Sequence, residues 1–237
     1  MEIFTAGQAQ EMVDAILLGY EAYIQERLQK AVAMEVSDGY AWTKGNHIDD
    51  AVAKANLGFI ESYKKDRAGE SWGYLKFISQ SKELGRVLLL IKNASRLRKT
   101  FNPNGSSQYL VELSEISSNF VSDLKLKNKM DIEGEIQLDL FSQADVPNLS
   151  EVKSEFDEFF VVLYETDQSK QIISISVNVL DVLDKQIIQV QDLSDFIQSS
   201  SVSRTLLENP QEISEPNEIS PQSFPYMIPE QEEKEAN

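Results

Sequence analysis

Three stretches carry residue types whose chemistry could serve a function. Gln137-Leu138-Asp139-Leu140-Phe141 offers a carboxamide that donates and accepts at once, then three apolar anchors, Leu138, Leu140 and Phe141, with Asp139 between them to keep the peptide soluble when free. Buried aliphatic and aromatic anchors supply most of the energy of small interfaces, so these five residues suit docking into a groove on another protein. Residues 58–101 hold ten basic and four acidic side chains, among them Lys64, Lys65, Arg67, Lys76, Arg86, Lys92, Arg96, Arg98 and Lys99, interleaved with Tyr63, Trp72, Tyr74 and Phe77. Such an array binds backbone phosphates by counterion release, and exposed aromatics stack bases. Arg96, Arg98 and Lys99 cannot all share one helix face, which counts against docking in a single groove. The third stretch is His47 to Asp50. Adjacent Asp49 and Asp50 point apart on a helix and make a poor shared metal site, and His47 is the sole histidine of the chain. With no cysteine and no phosphate-binding glycine loop, no catalytic residue, metal or cofactor is expected.

The pentad Gln137-Leu138-Asp139-Leu140-Phe141 resembles the peptide by which bacterial proteins bind the replication sliding clamp, whose pattern is Gln-Leu-(Ser or Asp)-Leu-Phe, and it matches at all five positions. The resemblance implies that the Gln137 carboxamide hydrogen-bonds at a small pocket and that Leu140 and Phe141 fill a larger apolar one. It covers five of 237 residues and implies nothing about the rest of the fold. The same stretch also reads as a half-buried strand, because Ile136, Leu138 and Leu140 alternate with Glu135, Gln137 and Asp139. A docked peptide that pairs as an added strand satisfies both readings.

The elements that position these residues follow from periodicity. Residues 6–34 read as one long helix, with Met12, Ile16, Tyr20, Tyr23, Ile24 and Leu28 on one face. Asn46 is the expected cap of a second helix over 47–57, and Trp42 a core anchor. Period-two runs then predict strands at Phe59–Lys64, Trp72–Ser79 and Arg86–Asn93, the last with a continuous apolar run typical of a buried strand. Ser95 is the expected cap of a short basic helix, and a fourth strand is expected at Tyr109–Ile116. Residues 117–154 read as a connector. Phe159–Glu165 and Gln171–Leu180 form a hairpin, Ile187–Val190 a third strand, and 192–198 a helical turn. Beyond 200, Ser, Pro and Glu dominate and a disordered tail is expected, with Phe224, Tyr226, Met227 and Ile228 as an apolar island in it.

The order helix, strand, strand, strand, helix, strand resembles the core of the restriction-endonuclease-like nucleases. That resemblance implies an acid on the second strand and an acid-x-Lys on the third to hold Mg²⁺. Here Leu90-Ile91-Lys92 puts leucine where the acid belongs, and the second strand has no acid from Ser71 to Ser79, so that metal chemistry is not expected.

The fold class expected is α+β: a long helix with an antiparallel meander (1–120), a connector bearing the pentad (121–154), a smaller β-rich unit (155–200) and an acidic tail (201–237). The net charge of −17 hides an asymmetry, +6 over residues 58–101 against −12 over 131–200. The absence of cysteine, of a long apolar run and of a basic-then-apolar N-terminal leader fits a cytoplasmic chain without a membrane span. The reading that follows is a non-enzymatic interaction protein of bacterial or phage replication or repair whose partner is the sliding clamp. Two alternatives stand beside it: a mobile-element or antitoxin-like regulator that binds a basic partner, and a DNA-binding protein using Lys64, Lys65, Arg67, Lys76, Arg96, Arg98 and Lys99.

Overall fold

The computed structural model describes residues 2–68, 72–133, 155–205 and 207. Helix α1 (Ala6–Ala33) begins with a reciprocal cap: the Thr5 hydroxyl accepts from Gln8 N–H and the Gln8 side chain accepts from Thr5 N–H. A 3₁₀ turn (Asp38–Thr43) runs straight into α2 (Lys44–Lys54). Asn46 therefore lies inside the helix rather than capping it. Gly19 is where α1 and α2 touch: a Cβ there would sit 2.6 Å from Ile48 Cα and 2.7 Å from the His47 carbonyl oxygen. The helicity that glycine costs α1 is exchanged for close approach of α2.

Strands β1 (Ile60–Ala68), β2 (Trp72–Ser81) and β3 (Gly85–Asn93) form the expected meander. Helix α3 (Ala94–Thr100) follows, capped by the Asn93 side chain, which accepts from Arg96 N–H at 3.0 Å, and not by Ser95. Two-residue strands β4 (Phe101–Asn102) and β5 (Gly105–Ser106) make a small hairpin. The strand expected at Tyr109–Ile116 is instead helix α4 (Gln108–Ser114) with a 3₁₀ turn at Glu115–Ser117. Its buried positions, Leu110, Ser114 and Ser117, recur at helical steps. The first part of the expected connector is helix α5 (Ser118–Glu133). Strands β6 (Glu158–Thr166), β7 (Ile172–Asp181) and β8 (Gln186–Asp192) and helix α6 (Asp195–Ser199) complete the described elements.

The fold is α+β, and the two β units that the sequence sets apart lie in one six-stranded sheet of order β1-β2-β3-β6-β7-β8. Each unit is antiparallel within itself. They join at the centre, where β3 and β6 run parallel with Val87 opposite Glu158 and Asn93 opposite Tyr164. Both central strands are buried on two faces, which explains their continuous apolar runs. On the first face Phe77, Leu89, Phe160, Val162 and Val177 pack against α1 and α2. On the second, Ile78, Leu88, Leu90, Phe159 and Val161 pack against Ala94, Leu97, Phe101 and Leu110.

The chain crosses from the second face toward α5 at Ser117. This fully buried hydroxyl accepts from Phe159 N–H at 2.6 Å and donates to the Glu158 carboxylate at 2.6 Å, and burial raises the Glu158 carboxyl above its ordinary value. Residues 201–205, expected in the tail, are tied down instead. Thr205 N–H donates to Glu21 at 2.9 Å, and the Gln171 side chain donates to the Thr205 carbonyl at 2.8 Å. The rest of the expected tail, with its apolar island, lies outside the described residues apart from Leu207, which packs against the core. No helix among the described residues is long and apolar enough to cross a membrane.

Candidate functional site: a polar groove on the open half of the sheet

From Ser174 to Val179 strand β7 alternates apolar and polar side chains. Ile175, Val177 and Val179 point into the apolar first face, and Ser174, Ser176 and Asn178 lie on the second. The helices of the second face cover β2, β3 and β6, and beyond them lies a groove of about 430 Å³. Its floor is Leu163 and Glu165 of β6, Ser174, Ser176 and Asn178 of β7, and Ile187 and Gln189 of β8. Ala94 and Arg98 of α3 form one wall, and Phe101 with Lys185, from the β7–β8 turn, closes an end.

The charges here are arranged around one bidentate pair. Arg98 donates to both Glu165 oxygens, at 2.8 and 3.0 Å, the geometry in which a guanidinium and a carboxylate bind best. This pairing holds the Glu165 carboxyl below the usual carboxylate range, and it raises Arg98. A carboxylate so held is a poor proton acceptor, and the groove has no histidine or cysteine to serve as nucleophile or base. The Lys185 ammonium lies 5.4 Å from the centre of the Phe101 ring. Asn178 is only 4% exposed, and its amide nitrogen is engaged by the Ser176 carbonyl at 3.0 Å and the Ser176 hydroxyl at 2.9 Å.

The basic residues singled out in the sequence are dispersed, and several are paired. Lys64 and Lys76 are cross-strand partners; Lys64 meets Glu155 at 3.0 Å, and Lys76 meets Asp66. These pairings draw Glu155 and Asp66 below their ordinary values. Arg96 lies over the Trp42 ring at 4.8 Å; that ring, expected as a core anchor, is only half-buried. Arg98 belongs to the groove. Lys65 and Arg67 stand exposed on the edge strand β1, where cations discourage pairing with a further strand. Lys99 is exposed on α3. The structure thus brings Lys64 and Lys76 together but spreads the other five over two elements.

Two further polar groups close gaps in the fold. Strands β2 and β3 pair only as far as Phe77 and Leu89 and then diverge. Asp49 enters from α2 and accepts from the Leu75 N–H at 3.0 Å, in place of a β3 carbonyl. Its carboxyl is pushed up to about 6, chiefly by burial, with the Leu75 bond and Lys92 opposing. Lys92 sits against Tyr74 at 4.4 Å and Tyr109 at 5.9 Å, and burial lowers its ammonium. Asp50, its sequence neighbour, is exposed and pairs with Lys54 at 2.7 Å. His47 Nε2 lies 2.5 Å from a Glu26 oxygen, a contact between α1 and α2. Among the described residues no cluster of three or more His, Cys, Asp or Glu could hold a metal ion.

Gln137, Leu138, Asp139, Leu140 and Phe141 lie outside the described residues. Sequence reasoning missed the groove, although the run Ser174-Ile175-Ser176-Val177-Asn178-Val179 signals a strand with one wholly polar face. Compared with known proteins, the chain matches no family model, no curated protein and no solved structure.

Proposed function

We propose that this protein is a non-enzymatic interaction protein that docks on a bacterial sliding clamp through residues 137–141 and acts in DNA replication or repair, either recruited by the clamp or displacing its other users. The observation that carries the reading is the five-for-five match of Gln137-Leu138-Asp139-Leu140-Phe141 to the clamp-binding pattern.

A lone pentapeptide binds on the order of micromolar, and the several equivalent sites of a clamp ring raise that by avidity. The test is retention of the full chain on immobilised bacterial clamp. Leu140→Ala with Phe141→Ala removes two anchors and is expected to abolish retention, while circular dichroism stays that of the parent. Unchanged retention of the double variant defeats the reading.

A further inference from the structure

The outer edge of β1 carries an inference independent of the clamp reading. Strand β1 ends the six-stranded sheet: β2 pairs with one side of it, and no described strand pairs with the other. An edge strand of nine residues presents alternate backbone N–H and C=O groups outward, ready to pair with a further strand. Tyr63 stands opposite Phe77, a first-face residue, so Tyr63, Lys65 and Arg67 share the first face, while Lys64 and Asp66 lie on the second. On the first face a pocket of about 130 Å³ opens between β1 and the end of α2. Val52 and Leu57, both buried, line it together with Ile60 and Tyr63, and Tyr63 is 52% exposed.

The charges along this edge select what can pair there. Of the cations on β1 and β2, Lys64 and Lys76 are held by Glu155 and Asp66. Lys65 and Arg67 are exposed and have no carboxylate partner among the described residues, in a chain of net −17. Cations on an edge turn away most incoming strands, but not one that brings carboxylates at the same spacing. A nucleic acid fits less well: two cations and one exposed ring make a short array, and a phosphate backbone has no ladder of donors and acceptors to match the free edge. We propose that the β1 edge is a docking site for an extended acidic peptide of another protein, added antiparallel as a further strand, with one aliphatic side chain in the pocket beside Tyr63 and carboxylates on Lys65 and Arg67. Main-chain pairing supplies the affinity of such a strand, and the pocket and the two cations its choice of sequence. The order in the peptide is acid-x-acid-x-aliphatic, because the pocket lies toward the start of β1 and the cations toward its end.

The experiment is titration of the full chain at low salt with the synthetic peptide acetyl-Thr-Glu-Thr-Glu-Thr-Leu-Thr-amide, read by backbone NMR and amide hydrogen exchange. Saturable binding is expected, with exchange slowed at alternate β1 residues, those whose N–H groups point away from β2. Lys65→Glu with Arg67→Glu is expected to weaken binding by about tenfold or more, two exposed attractions having become repulsions, and to leave the circular dichroism unchanged. The same peptide with lysine for glutamate is expected to bind that variant better than the parent. Lys82→Glu with Lys127→Glu, in the β2–β3 turn and on α5 and both exposed, is expected to leave the affinity within about twofold. No saturable binding overturns the proposal, as does binding that leaves β1 exchange unaltered or that both charge-reversal pairs weaken equally. A short oligothymidylate that binds more tightly than the peptide assigns the face to nucleic acid and overturns it too. Slow exchange of the outward amides before any peptide is added means that the edge is already filled, by the chain itself if the protein sediments as a monomer and by a second copy if it sediments as a dimer, and either result overturns the proposal.

Discussion

The two halves of the sheet are both three-stranded antiparallel meanders, yet they use polar side chains in opposite ways. In the β1–β3 half several polar groups are charged and paired within the protein, Lys64 with Glu155 and Lys76 with Asp66, and Asp49 satisfies the free amide of Leu75, while Lys65 and Arg67 stand exposed at the edge. In the β6–β8 half the second face carries uncharged Ser174, Ser176, Asn178 and Gln189 on the floor of an open groove. The contrast teaches that density of charge in a sequence is a poor guide to where a ligand goes. Exposed ion pairs mostly neutralise one another and contribute little, whereas uncharged hydroxyls and amides on a concave floor leave a surface open to other molecules.

The sharpest way to break that contrast is to compare one substitution in the sealed core with one in the open groove. Phe160 is wholly buried on the first face and meets Phe120 edge-on at 5.1 Å between ring centres. Phe160→Ala is expected to cost about 3–5 kcal/mol in urea unfolding. Gln189→Ala, on the exposed floor of β8, is expected to stay within about 0.5 kcal/mol. A comparable loss at both sites means that the groove is core, and the contrast fails.

Next in size is the buried charge of the first half. The Asp49 carboxyl stands at about 6 in the fold against an ordinary 3.8. Because the folded value is raised, folding favours the protonated form: this group's stability is fullest below pH 3.8 and is lost as pH rises through 6. The difference corresponds to roughly 2–3 kcal/mol at neutral pH. Asp49→Asn keeps an acceptor for Leu75 N–H and removes the charge, at the cost of the attraction to Lys92. The variant is expected to melt higher than the parent at pH 7, with the advantage shrinking toward pH 4. Parallel melting curves at the two pH values refute the assignment.

What the sequence disclosed follows the range of the interaction involved. Helix α1 and the six long strands of the sheet were legible because their patterns are local: Met12, Ile16 and Tyr23 at helical steps, Ile175, Val177 and Val179 at alternate positions. Tyr109–Ile116 was misread because seven or eight residues are too few to separate period two from period 3.6, and its buried serines hid the helical spacing. The parallel joining of β3 to β6 was illegible for a different reason, since a pairing across more than sixty residues leaves no local trace beyond two apolar runs. In the sequence Asp49 read only as one of two adjacent helix carboxylates unsuited to a metal, and the divergence of β2 from β3 gives it its role. The groove was half legible. The polar face of β7 is written in the chain, but that no helix covers it is a property of the assembled layers.

The smallest expected effect reverses the sign of the one at Asp49. Glu165 is held below its ordinary 4.5 by the Arg98 fork, so the stability it contributes is present above pH 4.5 and disappears as pH falls through the lower folded value. Arg98 is more than half exposed, so solvent screening keeps the contribution under about 1 kcal/mol. Arg98→Met is expected to lose that increment at pH 7 and to rejoin the parent in acid, the opposite slope to Asp49→Asn. Salt at about 1 M is expected to shrink the loss at Arg98 much more than the gain at Asp49, because an exposed pair is screened and a buried group is not. A double-mutant cycle of Arg98→Met with Glu165→Gln, followed across pH, isolates the pair. A coupling that survives unchanged below pH 3 means that the two side chains are held by packing rather than charge, and the groove's wall is then more like the core than its exposure suggests.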